Sequence, residues 1–176
     1  MNDLLVITAI GEDRPGIVDE LSHILFDADL NIEDSRMSIL GGEFAIILLV
    51  SGKTQALIQL QNQQRKLEDA LKLKLLIKPT QAKQTHKNNI PYAIKVVGMD
   101  NPGIVHRLAR FLARHNINIE DLETESYPAP HTGTPMFAVS MSVEIPSELS
   151  ISKLRDEFID LCDEQNLDAD FSPLEH

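Results

Sequence analysis

One cysteine and no tryptophan occur in the 176 residues. A lone Cys162 excludes an intramolecular disulfide and suits a reducing cytoplasm. The start, MNDLLVITAIGED, has neither a basic region nor a cleavage site, so no signal peptide is expected. Aromatics make up 5%. Phe44 and Phe137 stand singly, where RNA-reading sheets need several exposed rings. Basic residues are outnumbered, with 16 Lys and Arg against 27 Asp and Glu and a net charge of −11. That sign repels a phosphate backbone, so no direct nucleic-acid contact is expected. No apolar run reaches about 18 residues, so no membrane span is expected.

Catalytic signatures are missing as well. The histidines (His23, His86, His106, His115, His131 and His176) are scattered and form no metal-binding spacing. There is no nucleophile elbow and no phosphate-binding loop of the G-x-x-x-x-G-K type. The expectation is a protein without enzymatic activity, metal or cofactor.

What is present is a repeat. Residues 7–34 and 94–121 align without a gap at an offset of 87, with 13 of 28 positions identical. One supersecondary unit is therefore used twice. The expected division is a first domain over residues 1–79, a linker over 80–89 (TQAKQTHKNN from Thr80) and a second domain over 90–173. Residues 174–176 read as a tag remnant.

Within the first copy, Leu4–Ile10 reads as a strand. Ile17, Val18, Leu21, Ile24 and Leu25 recur at helical spacing. Asn31–Leu40 and Phe44–Val50 read as a hairpin about Gly41-Gly42. Thr54–Ala70 reads as one helix and Leu73–Lys78 as a closing strand. The order is β-α-β-β-α-β, a ferredoxin-like α+β fold. In the second copy, Phe137 matches Phe44 only at an offset of 93. Six inserted residues within SYPAPHTGTP are expected to form an exposed irregular loop. Ser147–Gln165 reads as a helix with Cys162 inward, and Ala169–Ser172 as the last strand. Acids crowd this end: Glu148, Asp156, Glu157, Asp160, Asp163, Glu164, Asp168 and Asp170. They form either a solvated face or a docking surface for a basic partner.

The shared motif is G-x-D-x-P-G-I-V followed at fixed distance by N-I-E-D. Gly16 and Gly103 are expected in the first turn of a helix, where free N–H groups favour an anion. Asp13 and Asp100 add a carboxylate, and Asn31 and Asn118 an amide. Together these complement a small zwitterion. The same residues also have a structural reading: Asp13 as helix cap, Gly16 as packing glycine, Asn31 as turn residue. Arg14 offers a guanidinium for a phosphate, but Asn101 replaces it in the second copy.

This motif on this frame resembles the ACT domain, a small-molecule-binding regulatory module. Two such units in a stand-alone chain, with the block from Leu5 to Gly52, resemble the tandem-ACT repressors of glycine cleavage transcription. The resemblance implies two ACT units with sheets packed or joined across a pseudo-twofold axis. It implies a regulator that contacts a LysR-type DNA-binding activator and responds to a small amino acid such as glycine, with a homodimer as one arrangement. The alternative is an ACT-type regulatory subunit that controls a metabolic enzyme. Carried over by motif, the ligand set is Gly11, Asp13, Arg14, Pro15, Gly16 and Asn31, then Gly98, Asp100, Asn101, Pro102, Gly103 and Asn118. Serine-binding ACT domains commonly carry a histidine at the Gly11 and Gly98 positions and an asparagine at Asp13 and Asp100, so a different ligand set is implied.

Overall fold

The computed structural model describes residues 3–82 and 89–174. Residues 83–88 of the expected linker and 175–176 of the expected tag remnant lie outside the described residues. The chain divides into two units, Met1–Gln84 and Thr85–His176. The first runs β1 (Asp3–Glu12), α1 (Ile17–Asp27), β2 (Asn31–Leu40), β3 (Glu43–Gly52), α2 (Thr54–Asn62), α3 (Gln64–Leu71) and β4 (Lys74–Thr80). The second runs β5 (Asn89–Met99), α4 (Ile104–Arg114), β6 (Asn118–Pro128), β7 (Pro135–Pro146), α5 (Ile151–Asp163) and β8 (Leu167–Pro173).

Each unit holds one antiparallel four-stranded sheet, ordered β2-β3-β1-β4 and β6-β7-β5-β8. Alternation along the central strands decides which face is covered. Leu5, Ile7 and Ala9 of β1 and Phe44, Ile46, Leu48 and Val50 of β3 are buried against the helices. Helix α1 meets them with Ile17, Leu21 and Leu25, spaced four apart on one face. The second core is richer in rings. Phe158 of α5 is fully buried and contacts Phe111 and Phe171 at centroid distances of 5.4 and 5.6 Å. Cys162 lies inward, as expected, and is fully buried.

The expected single helix over Thr54–Ala70 is two. Gln63 breaks it at φ −92 and ψ 3, with its N–H shared between Gln59 O and Leu60 O. A polar run, QNQQRK, gives no apolar contact there to hold one straight axis. The second departure is at the insertion. β6 and β7 stay paired through Ser126↔Phe137, Tyr127↔Met136 and Pro128↔Pro135. Only residues 129–134 turn, closed by Ala129 N–H to Thr134 O at 2.8 Å. Two of the six extra residues thus extend the ladder by the single pair Pro128↔Pro135. The other four widen the turn from Gly41-Gly42 in the first unit to six residues, of which 130–133 are exposed as expected.

A bulge interrupts both edge strands at the same place. The register of β2 on β3 shifts between Ile32 and Asp34, and that of β6 on β7 between Ile119 and Asp121. Glu33 and Glu120 are the extra residues.

Candidate functional site

The Asp-x-Pro-Gly segment links β1 to α1 and β5 to α4. Gly16 and Gly103 are the helix N-caps, in the left-handed region at φ 92 and φ 91. Side chains rarely adopt that conformation, which explains the glycine. Neither helix has a side-chain cap. The expectation that Asp13 caps α1 is therefore corrected: the helix begins three residues further on. Asp13 instead donates its backbone N–H to Gly42 O at 3.0 Å, and Asp100 donates to Pro135 O at 3.0 Å. The first helical bonds are Glu20 N–H to Gly16 O and Arg107 N–H to Gly103 O. Three N–H groups ahead of each have no intrahelical acceptor. A Cβ at Gly16 would meet only Glu20 Oε1, at 3.7 Å. At Gly16 a ligand therefore has backbone donors and room to approach them, whereas at Gly103 the Arg107 Nη1 lies 3.1 Å from where a Cβ would sit.

Arg14 is occupied. Its guanidinium donates to both carboxylate oxygens of Glu20, at 2.6 and 2.7 Å, and to Leu71 O at 3.3 Å. These bonds hold the Glu20 carboxyl below its ordinary range and raise Arg14. In the second unit Asn101 accepts from Arg107 at 2.8 Å and donates to Met99 O at 3.2 Å. Ser126 of the lengthened hairpin donates to Asp100 Oδ2 at 3.3 Å. Pro15 and Pro102 are exposed and form the turn before each N-cap.

Gly11 and Gly98 have a packing role. A Cβ on Gly11 would lie 2.7 Å from Leu73 Cδ2 and 3.0 Å from Lys72 O, and one on Gly98 would overlap Leu167 Cδ2.

Asn31 and Asn118 do not join these corners within their own units. Asn31 pairs with Ser51, which pairs with Leu4, whereas Asp13 follows Glu12 at the other end of β1. At about 3.3 Å per residue the two ends lie roughly 30 Å apart. The reading of a single corner holding Asp13, Gly16 and Asn31 of one unit is thus overturned. Nor does Asn31 make the turn after the helix; Asp29 and Asn116 do, at φ 56 and φ 55. The Asn31 amide donates to Glu33 Oε1 at 2.9 Å, and Ser51 Oγ donates to the same oxygen. Both bonds depress the Glu33 carboxyl, that from Ser51 most. Asn118 repeats the bond, donating to Glu120 Oε1 at 2.6 Å.

The profile described as the ACT domain matches residues 3–78 and 92–172. The chain belongs to the ACT-domain family. It carries two ACT units in tandem, and it is 30% identical over 162 residues to the glycine cleavage system transcriptional repressor of Escherichia coli (strain K12), covering 92% of this chain and 85% of that one. A crystal structure of an unknown protein from Galdieria sulphuraria superposes with a TM-score of 0.82 at 30% identity, over 99% and 100% of the two chains. The structure of a candidate glycine cleavage system transcriptional repressor shares the fold, with a TM-score of 0.75 at 24% identity, over 100% and 99%.

Two features of the ACT units escaped the sequence reading. The acidic partners of Asn31 and Asn118 stand in plain view as the E of N-I-E-D, two residues on, but the motif alone does not pair them. The proximity of Ser126 to Asp100 had no sequence signal, since it depends on where the lengthened hairpin lands.

Proposed function

We propose that this chain is a non-enzymatic regulator that represses glycine cleavage transcription by contact with a LysR-type DNA-binding activator. A small amino acid, glycine first, would set the strength of that contact, and the protein would work in the cytoplasm. The observation that carries this reading is the similarity to a named repressor over 92% of the chain. The net charge of −11 favours a protein partner over DNA.

The two uncapped Asp-x-Pro-Gly corners support amino-acid sensing. Backbone N–H groups at Gly16 and Gly103 would hold the carboxylate. The carboxylates of Asp13 and Asp100 would hold the ammonium. Asn31 and Asn118 lie at the far end of their own sheets and would not reach a ligand held by the corner of the same unit.

An exposed apolar patch in the first unit supports protein docking. Ile47 and Leu76 flank Thr8 on the face turned away from the helices, with Ile10 two residues along. These three apolar side chains are 47%, 60% and 48% exposed. Adjacent apolar exposure of this kind marks interaction surfaces.

The effector works only if it binds the free and partner-bound states unequally. The test is affinity capture of the activator by the full chain while glycine is titrated. The expected result is capture without glycine and release with it. Capture that is indifferent to glycine, serine and alanine removes the sensing part of the proposal. Salt-sensitive binding of promoter DNA by the isolated chain removes the rest.

A further inference from the structure

The outer groove between α4 and α5 concentrates positive charge in an acidic protein. Arg107, Arg110 and Arg114 follow at three and four residues on one flank of α4, the spacing of a single helix face. With Phe111 and Leu161 they line a cavity of about 180 Å³. Among the described residues no carboxylate lies within ion-pair distance of any of the three. The Nε of Arg107 is buried and has no acceptor, and its Nη atoms donate only to uncharged oxygens, Asn101 Oδ1 at 2.8 Å and Pro102 O at 3.3 Å.

The repeat shows that the fold does not require these arginines. At an offset of 87 they correspond to Glu20, His23 and Asp27 of α1. There, the charges are internally matched: Glu20 with Arg14 at 2.6 Å and His23 with Asp27 at 3.4 Å. Two copies of one helix thus share a fold and differ in having paired charges or unpaired cations. Unpaired guanidiniums gathered around a hollow repel one another, which is a cost that folding alone does not explain.

We propose that the α4–α5 groove is a binding site for a small organic anion with a flat apolar body, such as an aryl or heterocyclic phosphate or carboxylate. Guanidinium forks match both anions in bidentate geometry. Phe111 and Leu161 supply the apolar wall that an inorganic ion would not use. The volume is roughly that of a site able to hold one benzene-sized ring. Arg107 also donates to Asn101 and Pro102 of the second Asp-x-Pro-Gly corner, so the site rests on Arg110, Arg114 and the apolar wall, and it stands whether or not the corners bind an amino acid.

The experiment is calorimetric titration of the full chain with phenyl phosphate, benzoate, phenol and inorganic phosphate. Phenyl phosphate or benzoate should bind more tightly than phenol and inorganic phosphate, and whichever of the two binds better identifies the anionic group. Arg110 and Arg114 are exposed, so R110Q/R114Q should keep the wild-type unfolding midpoint. It should weaken the better ligand by about tenfold or more, as expected for losing charge-assisted hydrogen bonds. D13A should leave that affinity unchanged. R110K/R114K should recover part of it, because charge survives while the fork is lost. Equal affinity in wild type and R110Q/R114Q overturns the proposal, as does failure of both phenyl phosphate and benzoate to bind. A double variant that changes the sedimentation mass of the ligand-free chain also overturns it, since the arginines would then serve self-association.

Discussion

Leu73 fills the space that a side chain at Gly11 would need, and Leu167 does the same to Gly98. Each leucine follows a left-handed residue, Lys72 at φ 58 or Asn166 at φ 54, which turns the chain into the last strand of its unit. The glycine and that turn therefore form one joint, built twice. G98A should destabilise the second unit by about 1–3 kcal/mol, the usual cost of forcing an atom into a filled core. G11A should cost a similar amount, because its contact with the leucine is longer but its contact with the preceding carbonyl is tighter, 3.0 Å against 3.3 Å. Urea unfolding checks both, and a neutral G98A would show that β8 moves aside freely.

Cys162 gives that measurement a local reporter. It is fully buried, and burial pushes its thiol up to about 11. A protonated, enclosed thiol is a poor nucleophile. In native protein at neutral pH it should react with a disulfide reagent far more slowly than in urea. Its labelling midpoint should follow unfolding of the second unit and shift in G98A but not in G11A. Fast labelling in native buffer would mean that α5 opens readily.

Three carboxylates of the first unit should make it sensitive to acid. Glu33, Glu20 and Asp34 are held below their ordinary range, chiefly by bonds from Ser51, Arg14 and Arg36 respectively. A carboxyl that is more acidic folded than unfolded stabilises fully above its unfolded value, near 4. That contribution is lost as pH falls through the lower folded value. The urea midpoint of the wild type should therefore drop between about pH 5 and pH 3. E33Q should flatten the drop, because its side chain no longer titrates. An identical pH profile for E33Q would show that the Asn31–Glu33–Ser51 bonds contribute nothing to stability.

Amino-acid sensing, if it runs through the corners, should depend on Asp13 and Asp100 more than on Arg14. Arg14 is already held by Glu20 in the free protein. D13A/D100A should weaken any glycine-induced thermal shift by about tenfold in ligand concentration, the size expected for one lost charge-assisted bond. R14Q should weaken it less. Partner capture offers a parallel check, with I47E or L76E reducing activator binding and leaving the glycine shift in place.

The duplicated pattern made the fold readable. Ile17, Leu21 and Leu25 at helical spacing, the Gly41-Gly42 hairpin and the Phe44/Phe137 offset all led to the observed elements. Gly41 and Gly42 do take positive φ, 61 and 89. The helix break at Gln63 was not readable, because a run of polar helix formers looks the same whether straight or bent. The position of Asn31 was readable in principle. A β-α-β crossover returns the chain to the end where it started, so β2 must begin far from the β1–α1 corner. Residue types alone suggested a shared site; strand direction separates them. The role of Gly11 could not be inferred, since the space it leaves is claimed by a leucine 62 positions later.

The displaced register at Glu33 and Glu120 bears on how the protein stays in solution. β2 has a hydrogen-bonded neighbour on one side only, and Ile32, Met37, Ile39 and Leu40 along it are exposed. A flat border of that composition would template fibril growth. An extra charged residue near its start, with Asp34 and Arg36 just beyond, interrupts the even row of donors and acceptors that an incoming strand would need. Straightening that edge by deleting Glu33 would turn a guarded border into a nucleus for aggregation.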